Sequence, residues 1–244
     1  MKREQLAENV TLYLGDCREV LPLLDPVAAV VTDPVWPNCP ADAVPGADDP
    51  WGLWFAACIA MPEHQRIVVV MRCDSDPRFL TAIPKPMPFL CSINLPYVMP
   101  GYLGRILGGD ETAYWFGEPI RRQPGRMVIP GRAPRAQPQD RPANGHPMSR
   151  AQVHFDWLVR WCSDDGETVL DPFMGGGTTG VACVKQGRRF VGVEIKSEYF
   201  DIARRRIEEA LRQPRLQIGR PAEERQDKLP LTSDPCPLTS GAKP

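Results

Sequence analysis

Short apolar runs alternate with helical patterns along most of this chain. Segments rich in β-branched and aromatic residues at Val10–Leu14, Val27–Thr32, Arg66–Arg72, Pro88–Leu95, Glu111–Gly117, Thr168–Asp171 and Arg189–Glu194 read as strands. Between them, Trp51 to Met61 is apolar nearly all round. Val153, Trp157, Leu158 and Trp161 recur at helical spacing, and Phe200, Ala203, Ile207 and Leu211 do so again. This alternation predicts an α/β domain, a mostly parallel sheet covered by helices. Ser197 is placed to cap the last helix, and Pro214 to follow its end.

The periodic pattern stops near Gln213, so residues 1–213 read as one domain and the polar, proline-rich residues 214–244 as a disordered tail. A second irregular stretch, Arg121 to Gly145, is long for a loop within a compact domain. From Arg121 to Arg150 the chain carries Arg121, Arg122, Arg126, Arg132, Arg135, Arg141 and Arg150 against Asp140 alone. That density suits phosphate contacts; a solvated loop with incidental charge is the alternative reading of the stretch by itself. Hydrophobic content of 43%, charge of 24% and a net charge of -1 are ordinary globular values and exclude a fibrous or disordered class. The eight cysteines lack the close pairs of zinc or redox motifs, which points to reduced thiols in a cytoplasm and to no metal site. No run approaches the length of a membrane span.

Two motifs carry candidate chemistry. DPFMGGGTTG, Asp171 to Gly180, follows a predicted strand, opens a predicted helix and contains Gly175-x-Gly177-x-x-Gly180. Such a turn lets backbone approach a nucleotide-like ligand, and Glu194, ending the next strand, is placed to accept from ribose hydroxyls. A dinucleotide and S-adenosylmethionine both fit. Dinucleotide domains place this turn first, whereas here one strand and one helix follow it, and Asp171 before the glycines favours a cationic group over a pyrophosphate. The second motif is Asp33-Pro34-Val35-Trp36, at the end of the apolar run VVT.

Taken together, DPFMGGGTTG and GRRFVGVEIKSEYFDIARRRI resemble the cofactor-binding half of the permuted-order, beta-type DNA amino-methyltransferases, which modify adenine N6 or cytosine N4. The resemblance runs from about Val10 to Leu211. YLGDCREVLPLL is similar to the family's leading segment, and Asp33-Pro34-Val35-Trp36 to its D-P-P-Y corner with Val35 at the second proline. HPMSR, His146 to Arg150, looks like the H-P-x-x-K-P element, with Arg150 at the lysine. The resemblance implies a Rossmann-like, doubly wound domain with a seven-stranded sheet and one reversed strand near Glu111–Gly117. It implies S-adenosylmethionine as cofactor, held by Asp16, Cys17, Asp171, Phe173, Gly175, Gly177, Thr178, Glu194 and Ile195. Double-stranded DNA would be the partner, met through a target-recognition segment at about 121–145 with Arg121, Arg122, Arg126, Arg132 and Arg135. The resemblance makes a homodimer plausible and offers no dedicated nuclease partner.

The corner's chemistry explains its residue types. An amine on a base ring is a poor nucleophile because its lone pair is delocalised. Two acceptors, the Asp33 carboxylate and the Pro34 carbonyl, would hold its hydrogens and free the lone pair, while Trp36 stacks on the flipped base. Aspartate here leans toward adenine, since cytosine-N4 members more often resemble S-P-P-Y. Val35 leaves a second reading open, a binding relative with weakened catalysis, because the missing proline is a source of rigidity. A nicotinamide oxidoreductase built on the glycine turn is the third. A C5-cytosine mechanism needs a cysteine nucleophile after proline, and the Pro235-Cys236 pair lies in the tail. Asp33 and Asp171 are expected on one rim of the sheet.

Overall fold

The longest apolar runs occupy the middle of the sheet, where side chains on both faces must be covered. In the computed structural model, which describes residues 1–98, 101–103, 106–123, 126–141 and 149–213, one sheet has the order β1-β2-β10-β9-β3-β4-β8-β5. Its strands are β1 (Lys2–Ala7), β2 (Val10–Leu14), β3 (Val27–Thr32), β4 (His64–Arg72), β5 (Phe89–Leu95), β8 (Glu111–Gly117), β9 (Thr168–Asp171) and β10 (Arg189–Glu194). A separate two-stranded ladder joins β6 (Gly101–Leu103) to β7 (Ile106–Gly108). Strands β2, β10, β9, β3 and β4 run parallel, and β8 is reversed between β4 and β5.

The expected seven strands are therefore eight, and a second reversed strand exists. β1 pairs antiparallel with β2, and its sequence KREQLA, partly exposed at the sheet edge, carries no apolar alternation for a hydrophobicity reading to find.

Period-two geometry sorts the central strands between two cores. Ala29, Val31, Val68 and Val70 face the core shared with α3 (Gln152–Cys162), α4 (Thr178–Lys185) and α5 (Ser197–Arg212). Val30, Ile67, Val69 and Met71 face the other, packed by α1 (Cys17–Val20), α2 (Pro50–Ala60) and Phe79. α2 buries Trp54, Ala57 and Cys58 and leaves Trp51, Phe55 and Ile59 exposed along its outer side. Ser197 does not cap α5: the preceding residue, Lys196, occupies that position, with no side-chain cap bond.

The segment after β8 lies along the free edge of β5. Asn94 donates its backbone N–H to Gly131 O and accepts from Ala133 N, while Ala136 N donates to Pro96 O and Val98 N to Ala136 O. This pairing covers an edge that would otherwise present open backbone groups. Three guanidinium groups gather at the C-terminus of α3, where carbonyls lack helical partners. Arg66 donates to Cys162 O, Arg126 to Arg160 O and Ser163 O, and Arg188 to Ser163 O. Residues 1–213 form one compact unit. The tail expected at 214–244, and His146 of HPMSR, lie outside the described residues.

In the glycine turn, Gly175 and Gly177 have φ of 48° and 78°. A Cβ on Gly177 would stand 2.9 Å from the Ala203 Cα of α5, so this glycine admits close helix packing as well as the left-handed backbone. Gly177→Ala is expected to lower unfolding free energy by about 2 kcal/mol or more, from left-handed strain plus the contact with α5. Urea denaturation checks this, and a change within a few tenths of a kcal/mol would contradict it.

Candidate active site

In a doubly wound sheet, ligands meet the carboxyl ends of the parallel strands. Here those ends bring together residues far apart in sequence. Thr32, the last residue of β3, donates its hydroxyl to Asp171 Oδ1 at 2.9 Å, which places Asp33 and Asp171 on the same rim as expected. Glu194, ending β10, stands on that rim beside β9. One cleft is lined by Asp16, Cys17, Asp33, Pro34, Val35, Trp36, Arg150, Asp171, Phe173, Gly175, Thr178, Glu194 and Ile195, among others. It gathers both sequence motifs. Gly177 of the cofactor set is the exception, since it packs against α5 instead.

The cofactor half is tied by backbone donors. Glu194 Oε2 accepts from Gly175 N and Oε1 from Lys196 N, each at 2.9 Å, so one carboxylate fixes the glycine turn to the turn after β10. Each oxygen keeps a second acceptor site for a ligand hydroxyl. Arg206 of α5 donates to Gly176 O and to Gln152 of α3, holding the same turn from behind. Asp171 is placed differently from the expectation of a carboxylate facing a cofactor. It is 2% exposed, and its oxygens accept from Thr32, Thr179 and the Phe173 N–H, so it clamps the turn. Asp16 accepts from Arg18 N and pairs with the Arg18 guanidinium, which holds its pKa below the ordinary value. Cys17 is buried beside it, while Ile195 is exposed at the cleft.

Asp16, Asp33, Asp171 and Glu194 bring carboxylates to a cleft whose walls are otherwise largely apolar. Burial pushes Glu194 up to about 7 and Asp171 up to about 6, although backbone N–H donors and hydroxyls work against the shift. Such a surface suits a sulfonium and amino groups, with a carboxylate left over for ribose hydroxyls, and disfavours a pyrophosphate. These residues fit S-adenosylmethionine better than a dinucleotide.

The catalytic corner is the more informative half. Arg150 donates from Nε to Asp33 Oδ2 at 2.5 Å, and its Nη1 lies 3.3 Å from Glu111 Oε1. Glu111 is 3% exposed and accepts from the Tyr97 hydroxyl at 2.9 Å. Asp33 Oδ1 is buried without a hydrogen-bond partner among the described residues. Burial raises the Asp33 pKa to about 7, the Glu111 and Asp171 charges add to the rise, and Arg150 opposes it. Trp36 departs from the picture of an aromatic open for stacking. It is 2% exposed, its Nε1 donates to Val70 O at 3.1 Å, and the Arg150 Cζ lies 4.0 Å from its ring centroid. Arg150 supplies part of that cover, and the Arg72 Cζ lies 5.5 Å from the same centroid.

Sequence reasoning missed Glu111. Its signal was the reversal of β8, which puts the first residue of that strand on the rim where the parallel strands end. Tyr97 joins this network and packs edge-on against His154. Of the recognition arginines, Arg121, Arg122, Arg132 and Arg135 are exposed, whereas Arg126 is engaged at the end of α3 and with Asp164. The second proline is Val35, which lines the cleft. No cluster of three or more potential metal ligands, and no helix long and apolar enough to cross a membrane, occurs among the described residues.

A family model described as DNA methylase matches residues 53–205, more than half of the chain. The chain belongs to the DNA methylase family. Among curated relatives, a type II methyltransferase of Streptococcus pneumoniae, M2.DpnII, is 39% identical over 66 residues, 27% of this chain and 25% of its own. The DNA adenine methyltransferase YhdJ of Escherichia coli is 38% identical over 65 residues, 27% of this chain and 22% of its own. The chain thus aligns with about a quarter of the length of these relatives. Among solved structures, the M1.HpyAVI–SAM complex superposes with a TM-score of 0.61 at 21% identity, covering 81% of this chain and 98% of that one. PvuII DNA methyltransferase (cytosine-N4-specific) superposes with a TM-score of 0.60 at 15% identity, covering 84% and 90%. At these identities the structures establish that this methylase has their fold.

Linkage makes the raised carboxylates testable. A carboxylate raised in the folded state contributes stability below its unfolded pKa and loses that contribution as pH rises through the folded pKa. For Glu194 the loss falls between about 4 and about 7. Glu194→Gln is therefore expected to remove a downward slope in the urea midpoint between pH 4.5 and 8, compared with the unmodified protein. An identical slope in the two proteins would contradict the assignment.

Proposed function

We propose that this chain transfers a methyl group from S-adenosylmethionine to the exocyclic amine of a base flipped out of double-stranded DNA, adenine N6 in preference to cytosine N4. The observation that carries the reading is Asp33. Asp33 directly follows β3 on the rim that also holds the glycine turn and Glu194, and its Oδ1 is buried with no partner among the described residues. A buried acceptor in want of a donor fits an amine hydrogen.

When bound, S-adenosylmethionine supplies an electrophilic methyl group. Asp16, Cys17, Phe173, Gly175, Thr178, Glu194 and Ile195 line the part of the cleft that would hold it, with Asp171 and Gly177 shaping the turn. Asp33 accepts one amine hydrogen and the Pro34 carbonyl the other, which draws the nitrogen toward a tetrahedral form with its lone pair free. The attacking nitrogen would gain positive charge as the methyl group's bond to sulfur breaks, and the Asp33 carboxylate stabilises that charge and takes the surplus amine proton. Alignment provides the remaining rate enhancement. Exposed Arg121, Arg122, Arg132 and Arg135 are assigned to DNA contact, where arginine serves phosphates and guanine edges alike. The preference for adenine rests on aspartate in the corner and is supported by likeness to a protein named as a DNA adenine methyltransferase.

A second reading, binding without turnover, is favoured by the cover on Trp36 and by Val35 in place of proline. Transfer of labelled methyl to mixed-sequence duplex DNA separates the two. Asp33→Ala is expected to keep cofactor affinity and to lose transfer by roughly a hundred- to a thousandfold, the scale of one positioned proton acceptor. Because the ionised carboxylate is the better acceptor, the wild-type rate should rise with pH through about 7 and then level. Cofactor binding without transfer by the wild-type protein would support the second reading. Full transfer by Asp33→Ala would overturn the first.

A further inference from the structure

The Arg150 guanidinium makes two of the three contacts that the corner offers to a base, leaving the Pro34 carbonyl. Its Nε–H meets Asp33 Oδ2 at 2.5 Å, and its central carbon lies 4.0 Å from the Trp36 ring centroid. Guanidinium presents a planar N–C–N edge with hydrogens directed outward. The amine-bearing edges of adenine and cytosine are also planar N–C–N groups, so the likeness is one of shape, with the exocyclic amine as the shared donor and the ring nitrogen an acceptor. A base could not stack on that face of Trp36, within reach of the open Asp33 Oδ1, while Arg150 lies there.

We propose that Arg150 is a base-mimicking plug, which must leave Asp33 and Trp36 for a flipped base to enter, and that Glu111 holds the displaced guanidinium at the rim. The proposal rests on the amine-transfer reading for the identity of the incoming group. Glu111 suits the holding role because it already pairs with Arg150 Nη1 at 3.3 Å and is itself fixed by the Tyr97 hydroxyl. With Arg150 only 12% exposed, its displacement needs a second anion close by, and Glu111 provides it without carrying the cation back into solvent. Arg150 is thereby a gate on base selection: a group that cannot replace both the charged hydrogen bond and the stack does not displace it.

The test is adenosine binding by calorimetry, with S-adenosylhomocysteine saturating so that the cofactor's own nucleoside subsite is filled. Arg150→Ala should bind adenosine about tenfold more tightly than wild type, because no charged hydrogen bond has to be displaced. Since that variant leaves Glu111 unpaired and could unfold, Arg150→Ala with Glu111→Gln is measured alongside it and should show the same gain. In the wild-type protein, the Arg150 Nε–H should be protected from hydrogen exchange and should lose protection as adenosine is added. Adenosine binding that weakens or stays unchanged in the folded variant would overturn the plug, as would retained protection at saturating adenosine. Methyl transfer by wild type, measured in the same preparation, keeps the two claims apart. Transfer without the affinity gain removes the plug alone, and the affinity gain without transfer removes the transferase reading alone.

Discussion

One guanidinium shared by two buried carboxylates organises the reactive end of this fold. The Asp33 and Glu111 carboxylates would repel each other at a rim with so little solvent, and Arg150 between them makes the arrangement tenable. Removing one partner from such a cluster typically costs about 3–5 kcal/mol, because the remaining charge stays buried. The cluster dictates what the chain must do elsewhere. β3 has to end just before Asp33, β8 has to run backwards so that its first residue reaches the same rim, and the chain entering α3 has to deliver Arg150. Three segments distant in sequence are fixed by one ion.

The cofactor half follows a different logic, in which polar groups clamp backbone. Asp171 and Glu194 use their oxygens mainly on the turns they flank. The Thr32–Asp171 hydrogen bond joins the halves, since Thr32 immediately precedes Asp33. The glycine turn is thus tied to the corner by this hydroxyl as well as by the β3–β9 ladder. Asp171 is better understood as a stitch between β3 and β9 than as a ligand-facing charge.

Most of the architecture was legible because it rests on apolar runs. β2, β3, β8, β9 and β10 have the ends read from sequence, and both motifs reach one cleft. What escaped were features without an apolar signature. β1 is held by backbone pairing at an edge, and its side chains tell nothing. Glu111 is an unremarked acid until the direction of β8 is known. Trp36 was read as an open stacking surface, because spacing within a motif cannot report that a cation from residue 150 will lie on it. The arginine-rich stretch likewise divides only in space: Arg126 caps a helix terminus while its neighbours face solvent. Motifs specify which groups are present, and tertiary contacts decide which of them are already occupied.

The central claim is that the corner directs methylation to an amine. Digesting labelled duplex DNA after a single turnover and identifying the modified nucleoside tests it most directly. N6-methyladenine is the predicted product, and N4-methylcytosine would preserve the amine chemistry while reversing the preferred base. Label recovered as 5-methylcytosine, or in no nucleoside at all, would contradict the account.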